Sequence, residues 1–222
     1  MKRFFFIENL IEVLVLLIPI LLISGPFLSD LSIVLCCILI FFVKEKSLLK
    51  LFWKNTLIKG FFLFYLYLIF CSLIIPVADN YFLKSFIPSF FYIRFIIFII
   101  VFYFLFYKIE KFSLSLFYIL LSILLILFID INSEYFLKKN ILGYTFNGVR
   151  IQSLFGDEWI VGSYISYMIP LVVSLFFINK KKKKFLISKV KYDENYIFII
   201  LFISIFLILL TGERSALFSI LL

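Results

Sequence analysis

The sequence predicts an all-α fold, a polytopic bundle of transmembrane helices with about seven complete spans and the start of an eighth. Three observations carry that expectation. Hydrophobic residues make up 65% of the 222 positions and aromatic residues 22%, with 33 Phe, far above the apolar content of a soluble domain. Several apolar runs are long enough to cross a hydrocarbon core of about 30 Å, which takes about 20 helical residues, and they lack the alternation of barrel strands. The cations gather between those runs, where Lys and Arg set orientation.

Taken in order, Met1-Lys2-Arg3 and the apolar run behind it have the outline of a signal peptide. Ser24-Gly25-Pro26 is a poor cleavage site, however, and a second span follows at once, so the first helix is expected to be retained. Span one covers about residues 10–24, breaks at Gly25-Pro26, and pairs with span two, 28–43, as a helical hairpin. Residues 44–59 carry Lys44, Lys46, Lys50, Lys54 and Lys59, with Trp53 as an interfacial anchor, and should be cytoplasmic. Span three, 60–76, leads to a short outer loop, 77–85, and span four, 86–107, returns to Lys108 and Lys111. Span five, 112–129, delivers the longest outer loop, 130–158, with Gly143, Gly148 and Gly156 as signs of an irregular connection.

Span six, 159–178, ends at the Lys-rich cytoplasmic loop 179–195, and span seven, 196–210, places Thr211-Gly212-Glu213-Arg214 on the outer face. Of the 22 Lys and Arg, 16 fall in the N-terminus and the three inner loops of this scheme. The whole chain, 1–222, thus reads as a single integral membrane domain in the inner membrane. Residues 215–222 supply only eight residues of an eighth span, and a half-helix ending in hydrocarbon would leave its last carbonyls without partners. The chain is therefore expected to continue beyond Leu222.

The net charge of +9 follows from those loops and points to membrane lipids as partners, not to nucleic acid. Cys36, Cys37 and Cys71 lie inside apolar runs and suggest packing, not a disulfide. With no His and no Asp-x-Asp pair, no metal site and no cofactor are expected.

Against 18 Lys the chain has four Arg: Arg3, Arg94, Arg150 and Arg214. Where Lys is used so freely for plain charge, Arg marks places that need a planar fork for carboxylate or phosphate oxygens. Arg94 lies about nine residues into span four, deep enough to be a binding residue or to pair with a carboxylate or carbonyl inside the bundle. Arg150 opens a second constellation running through Gly156, Asp157, Glu158, Trp159 and Tyr164, with Pro170 beyond. Phe155-Gly156 reads as a turn, Asp157 as an N-cap, Glu158 as a first-turn acid and Trp159 as the interfacial start of span six. The same two carboxylates, beside an Arg, could orient a sugar hydroxyl or accept its proton.

Thr211-Gly212-Glu213-Arg214-Ser215-Ala216 resembles the Thr-Gly-Ser-Arg-Gly/Ser-Ala signature of the O-antigen ligase and O-antigen polymerase superfamily. Residues 150–170 are similar to that family's preceding motif: an Arg, a Phe-Gly turn, a polar step, and a Gly-x-Tyr helix start followed by Pro. The departures are Glu213 for Ser, Ser153 where Gly is frequent, and Glu158-Trp159 in place of Pro-Asn. The resemblance implies a metal-independent, inverting glycosyl transfer from undecaprenyl diphosphate to a lipid A-core or glycan acceptor. It implies Arg150 and Arg214 as the catalytic pair holding the diphosphate. Arg94, Gly156, Asp157, Glu158, Tyr164 and Gly212 would line the substrate site. Ligases of this family place an essential His in a large outer loop after this motif, and the chain has no His, so either that loop lies beyond Leu222 or the parent is a polymerase-like member using another group. A transporter or channel with an Arg-lined anion path is the alternative from another class, and a structural subunit with Arg anchors is a third.

Overall fold

A computed structural model describes residues 2–43, 55–74, 81–146, 148, 150–156, 158–181 and 195–221. The expected cytoplasmic segment 44–54 with Trp53, the loop 75–80, Asp157 and the Lys-rich segment 182–194 lie outside the described residues. The described residues are helical apart from short connections. Among the described residues nine α-helices occur, in chain order α1 (Lys2–Ile23), α2 (Pro26–Phe42), α3 (Thr56–Ile74), α4 (Tyr81–Phe91), α5 (Ile93–Lys108), α6 (Phe112–Leu137), α7 (Val161–Lys181), α8 (Asn195–Thr211) and α9 (Arg214–Leu221).

Among the described residues five segments are long and apolar enough to cross a membrane: Phe6–Ile23, Thr56–Ile74, Ser85–Lys108, Phe112–Leu137 and Val161–Lys181. The protein is accordingly a multi-pass membrane protein. The two remaining expected spans correspond to Pro26–Phe42 and Asn195–Thr211, apolar helices of 17 residues that are shorter than these five, so the structure bears out several spans without fixing the count at seven. At 1.5 Å per residue each is about 25 Å, at the lower end of what crosses a hydrocarbon core of roughly 30 Å.

Local chemistry explains the breaks. Gly25 adopts φ +122 between α1 and α2, and Pro26 opens α2, where a missing N–H costs nothing. The fourth expected span is two helices, α4 and α5, meeting at Tyr92 four residues after Pro88. Gly212 at φ +70 ends α8, and a single further residue, Glu213, precedes α9.

The chain divides into two compact units. The first comprises residues 1–18 and 27–110, and the second comprises residues 19–26 and 111–222. In the first, α3 packs on α4 and α5, and the Tyr65 hydroxyl donates to the Phe90 carbonyl. Lys108 at the end of α5 meets Glu8 near the start of α1 at 2.6 Å. In the second, α6, α7 and α8 pack on one another and α9 lies against α7 and α8. Its core holds Leu120, Leu127, Ile131, Ile165, Leu207 and Ile208, each almost fully buried. Ser113 at the start of α6 donates to Asn179 Oδ1 at 2.7 Å, and Asn179 Nδ2 returns a bond to the Ser113 carbonyl at 3.1 Å. That reciprocal pair joins the start of α6 to the end of α7, as helices crossing in alternate directions require.

Candidate functional site

The end of the second unit opposite the Ser113–Asn179 pair collects the carboxyl end of α6, the chain to α7, the start of α7 and the turn between α8 and α9. The expected outer loop 130–158 begins later than its sequence suggests, because α6 continues as helix to Leu137. Asp130 and Glu134 are therefore one helical turn apart on α6, both buried. Their oxygens act as acceptors for the returning chain. Asp130 Oδ1 takes the Ile141 N–H at 2.7 Å and Oδ2 takes the Ser153 hydroxyl. Glu134 takes the Gln152 N–H at 3.1 Å and the Ser153 N–H at 2.6 Å.

Ser153 is the hub of this frame. Asn140 Nδ2 donates to its carbonyl at 2.9 Å, so its N–H, hydroxyl and carbonyl are all engaged. Those bonds hold it at φ +53, a left-handed conformation that Gly adopts freely and that other residues keep only when their surroundings over-determine it. A 3-10 turn, Ser153–Phe155, then ends at Gly156 with φ +65, so Gly156 is the turn residue that the sequence indicated.

The start of α7 corrects a second expectation. Glu158 is exposed and lies three residues before Val161, so it is not a first-turn acid, and the expected N-cap Asp157 lies outside the described residues. The acid at this helix end comes from far along the chain. Glu213 accepts the Ser163 N–H at 2.8 Å and also the Ser163 hydroxyl, satisfying one of the four free donors of the first turn. Glu213 is itself buried, at 8% exposure, and its carboxylate is not within ion-pair distance of its neighbour Arg214. Thr211 is buried beside it, its hydroxyl donating to the Ile208 carbonyl.

The sequence-derived residues are distributed as follows. Arg150 is half-buried, its guanidinium 5.7 Å from the centre of the Trp159 ring. Arg214 is exposed at the first position of α9, and Gly212 is the turn before it. Among the described residues neither Arg has a carboxylate within ion-pair distance. Tyr164, on the first turn of α7, packs on the Phe155 ring at 5.1 Å and donates its hydroxyl to the Pro19 carbonyl at 2.6 Å. The two motif stretches are thus brought to one end of the second unit. Lys138 and Lys139 are exposed there too, with the Lys138 ammonium over the Phe146 ring at 4.9 Å.

Arg94 belongs to the first unit and has a different environment. Its Nη2 donates to Asp30 at 2.8 Å, its carbonyl accepts the Cys37 thiol, and its guanidinium stands 4.9 Å from the Phe95 ring. The pairing inside the bundle, one of the two readings of Arg94, is the one observed.

Sequence reasoning missed the acid frame of Asp130, Glu134, Asn140 and Ser153, and the Glu213–Ser163 contact. The four-residue spacing of Asp130 and Glu134, flanking the apolar Ile131, was the available signal. Among the described residues no group of three or more His, Cys, Asp or Glu is placed to hold a metal ion. No family model, curated protein or solved structure matches the chain.

Proposed function

We propose that this chain is part of a membrane glycosyltransferase of the O-antigen ligase or polymerase kind. It would transfer a glycan from undecaprenyl diphosphate to a lipid A-core or glycan acceptor on the outer face of the inner membrane. One observation carries this reading: Glu213 joins the motif around Arg214 to the start of α7, which the motif around Arg150 precedes. The two Arg stand at the same end of one helical unit, and among the described residues neither has a carboxylate within ion-pair distance.

That arrangement suits the chemistry. As the glycosyl bond breaks, negative charge builds on the departing diphosphate, and fixed guanidinium groups in a water-poor site stabilise such charge strongly. Arg offers paired donors to phosphate oxygens and holds its charge at any physiological pH. Arg150 and Arg214 fill this role, and Arg94, already paired to Asp30, is the weaker candidate.

The test is made in the cell that produces the protein. Arg214→Lys and Arg150→Ala should abolish surface polysaccharide while the protein still inserts in the membrane. Polymer at the wild-type level in both variants would remove the diphosphate reading. The second reading is a transporter or channel with an Arg-lined anion path, for which Arg150 and Arg214, without carboxylate partners among the described residues, are the free charges. That reading expects solute flux in proteoliposomes lacking any lipid-linked glycan.

A further inference from the structure

Glu213 immediately precedes Arg214 at the turn into α9, close enough in the chain for its carboxylate to reach the guanidinium if nothing else held it. Instead three features seat that carboxylate on α7. Ser163 gives it a backbone N–H and a hydroxyl. Gly162 leaves the space: a Cβ there would stand 2.6 Å from Glu213 Oε2, 2.8 Å from Thr211 Oγ1 and 2.9 Å from Glu213 Cβ. Gly212, at φ +70, supplies the tight turn that carries the chain from α8 to this seat. The positive partial charge at the amino end of a helix favours the ionised carboxylate.

We infer that Glu213 is a positioning residue: seated on the amino end of α7, it fixes the start of α9 and keeps its charge off Arg214, leaving that guanidinium to an external phosphate or diphosphate group. The identity of the ligand rests on the proposed function, whereas the seat and its effect on charge at position 214 do not.

The experiment uses the full chain in phosphatidylcholine nanodiscs and has two arms. The first needs no ligand and follows acetylation of the amine introduced by Arg214→Lys, resolved by peptide mass spectrometry. Adding Gly162→Ala drives the carboxylate from its seat and should slow acetylation roughly 3- to 10-fold, because a neighbouring carboxylate stabilises the ammonium form. Adding Glu213→Gln as well should restore the rate. Ser163→Ala, which removes one donor without adding volume, should act in the same direction more weakly, and it serves if Gly162→Ala does not fold. No slowing in either variant, or slowing that Glu213→Gln fails to reverse, overturns the inference.

The second arm measures binding of inorganic pyrophosphate and of geranylgeranyl diphosphate to the chain with Arg214 intact. Gly162→Ala should weaken binding about 10-fold, as an introduced opposing charge does at a charged contact, with recovery in the double variant carrying Glu213→Gln. Recovery with either probe supports the inference, and the probe that binds distinguishes a soluble from a lipid-borne anion. Binding of neither, with the acetylation pattern intact, overturns the diphosphate reading and leaves the seat standing.

Discussion

The two units treat acid and base in opposite ways. In the first, Arg94 and Asp30 face each other, and each neutralises the other in an apolar surrounding. In the second, Asp130, Glu134 and Glu213 are all buried against N–H and hydroxyl donors, while Arg150 and Arg214 keep their charge unpaired among the described residues. An Arg in an apolar chain is therefore not by itself a mark of function. What distinguishes the two cases is where the neighbouring carboxylates go. A guanidinium held by an internal carboxylate serves the fold, and one whose neighbours are bound elsewhere is open to an anion from outside.

The largest effect should come from the acid frame of the second unit. Glu134→Ala leaves the Gln152 and Ser153 N–H groups buried without acceptors, and each bond to a charged group is worth about 1.5–3 kcal/mol. A loss of about 3–5 kcal/mol follows, read as a fall in melting temperature in detergent. Protease cleavage within residues 138–160 should appear with it. A variant that melts and resists cleavage like wild type would show that the frame is not what holds this chain segment.

Next in size is the ion pair of the first unit. Asp30→Ala leaves Arg94 charged in an apolar span and should destabilise by about 2–3 kcal/mol, allowing for the partial exposure of both side chains. The double variant Asp30→Leu/Arg94→Leu should recover most of that loss, since an apolar pair of similar size removes the desolvation cost. If the double variant is stable yet abolishes polysaccharide or solute flux, Arg94 has a role beyond packing and the contrast between the units fails.

What the sequence revealed follows the range of the interactions involved. Apolar run length marked most of the helices, though not the division of the fourth expected span at Tyr92, while Gly25-Pro26 marked a break and Phe155-Gly156 a turn, because each of these signals acts within a few residues. The last eight residues of α6 were hidden because Asp130 and Glu134 resemble loop residues until their partners at 141, 152 and 153 are known. Likewise Asp157 and Glu158 had the composition of a local cap, while the observed acid at α7 comes from Glu213, 50 residues away. Local capping rules describe what a neighbouring residue can do, and they carry no information about a competitor brought in by the tertiary fold. For the candidate site, the type and the end of the bundle were legible for Arg150 and Arg214, and the disposition of the acids around them was not.

Removing those two charges should perturb stability least. Arg150→Gln gives up the stacking on Trp159, about 0.5–1 kcal/mol at an exposed site, and Arg214→Gln should stay within about 0.5 kcal/mol of wild type. Both follow from side chains that bury no ion pair, in contrast to Arg94. Thermal melts of the three variants Arg94→Gln, Arg150→Gln and Arg214→Gln in one detergent should therefore fall in the order of their internal partners, with Arg94→Gln lowest. An equal fall for Arg214→Gln would mean that its charge is held by the fold in the way Asp30 holds Arg94. Were that fall abolished by adding Glu213→Gln, Glu213 would be its partner, and the seat on α7 could not be the resting position of that carboxylate.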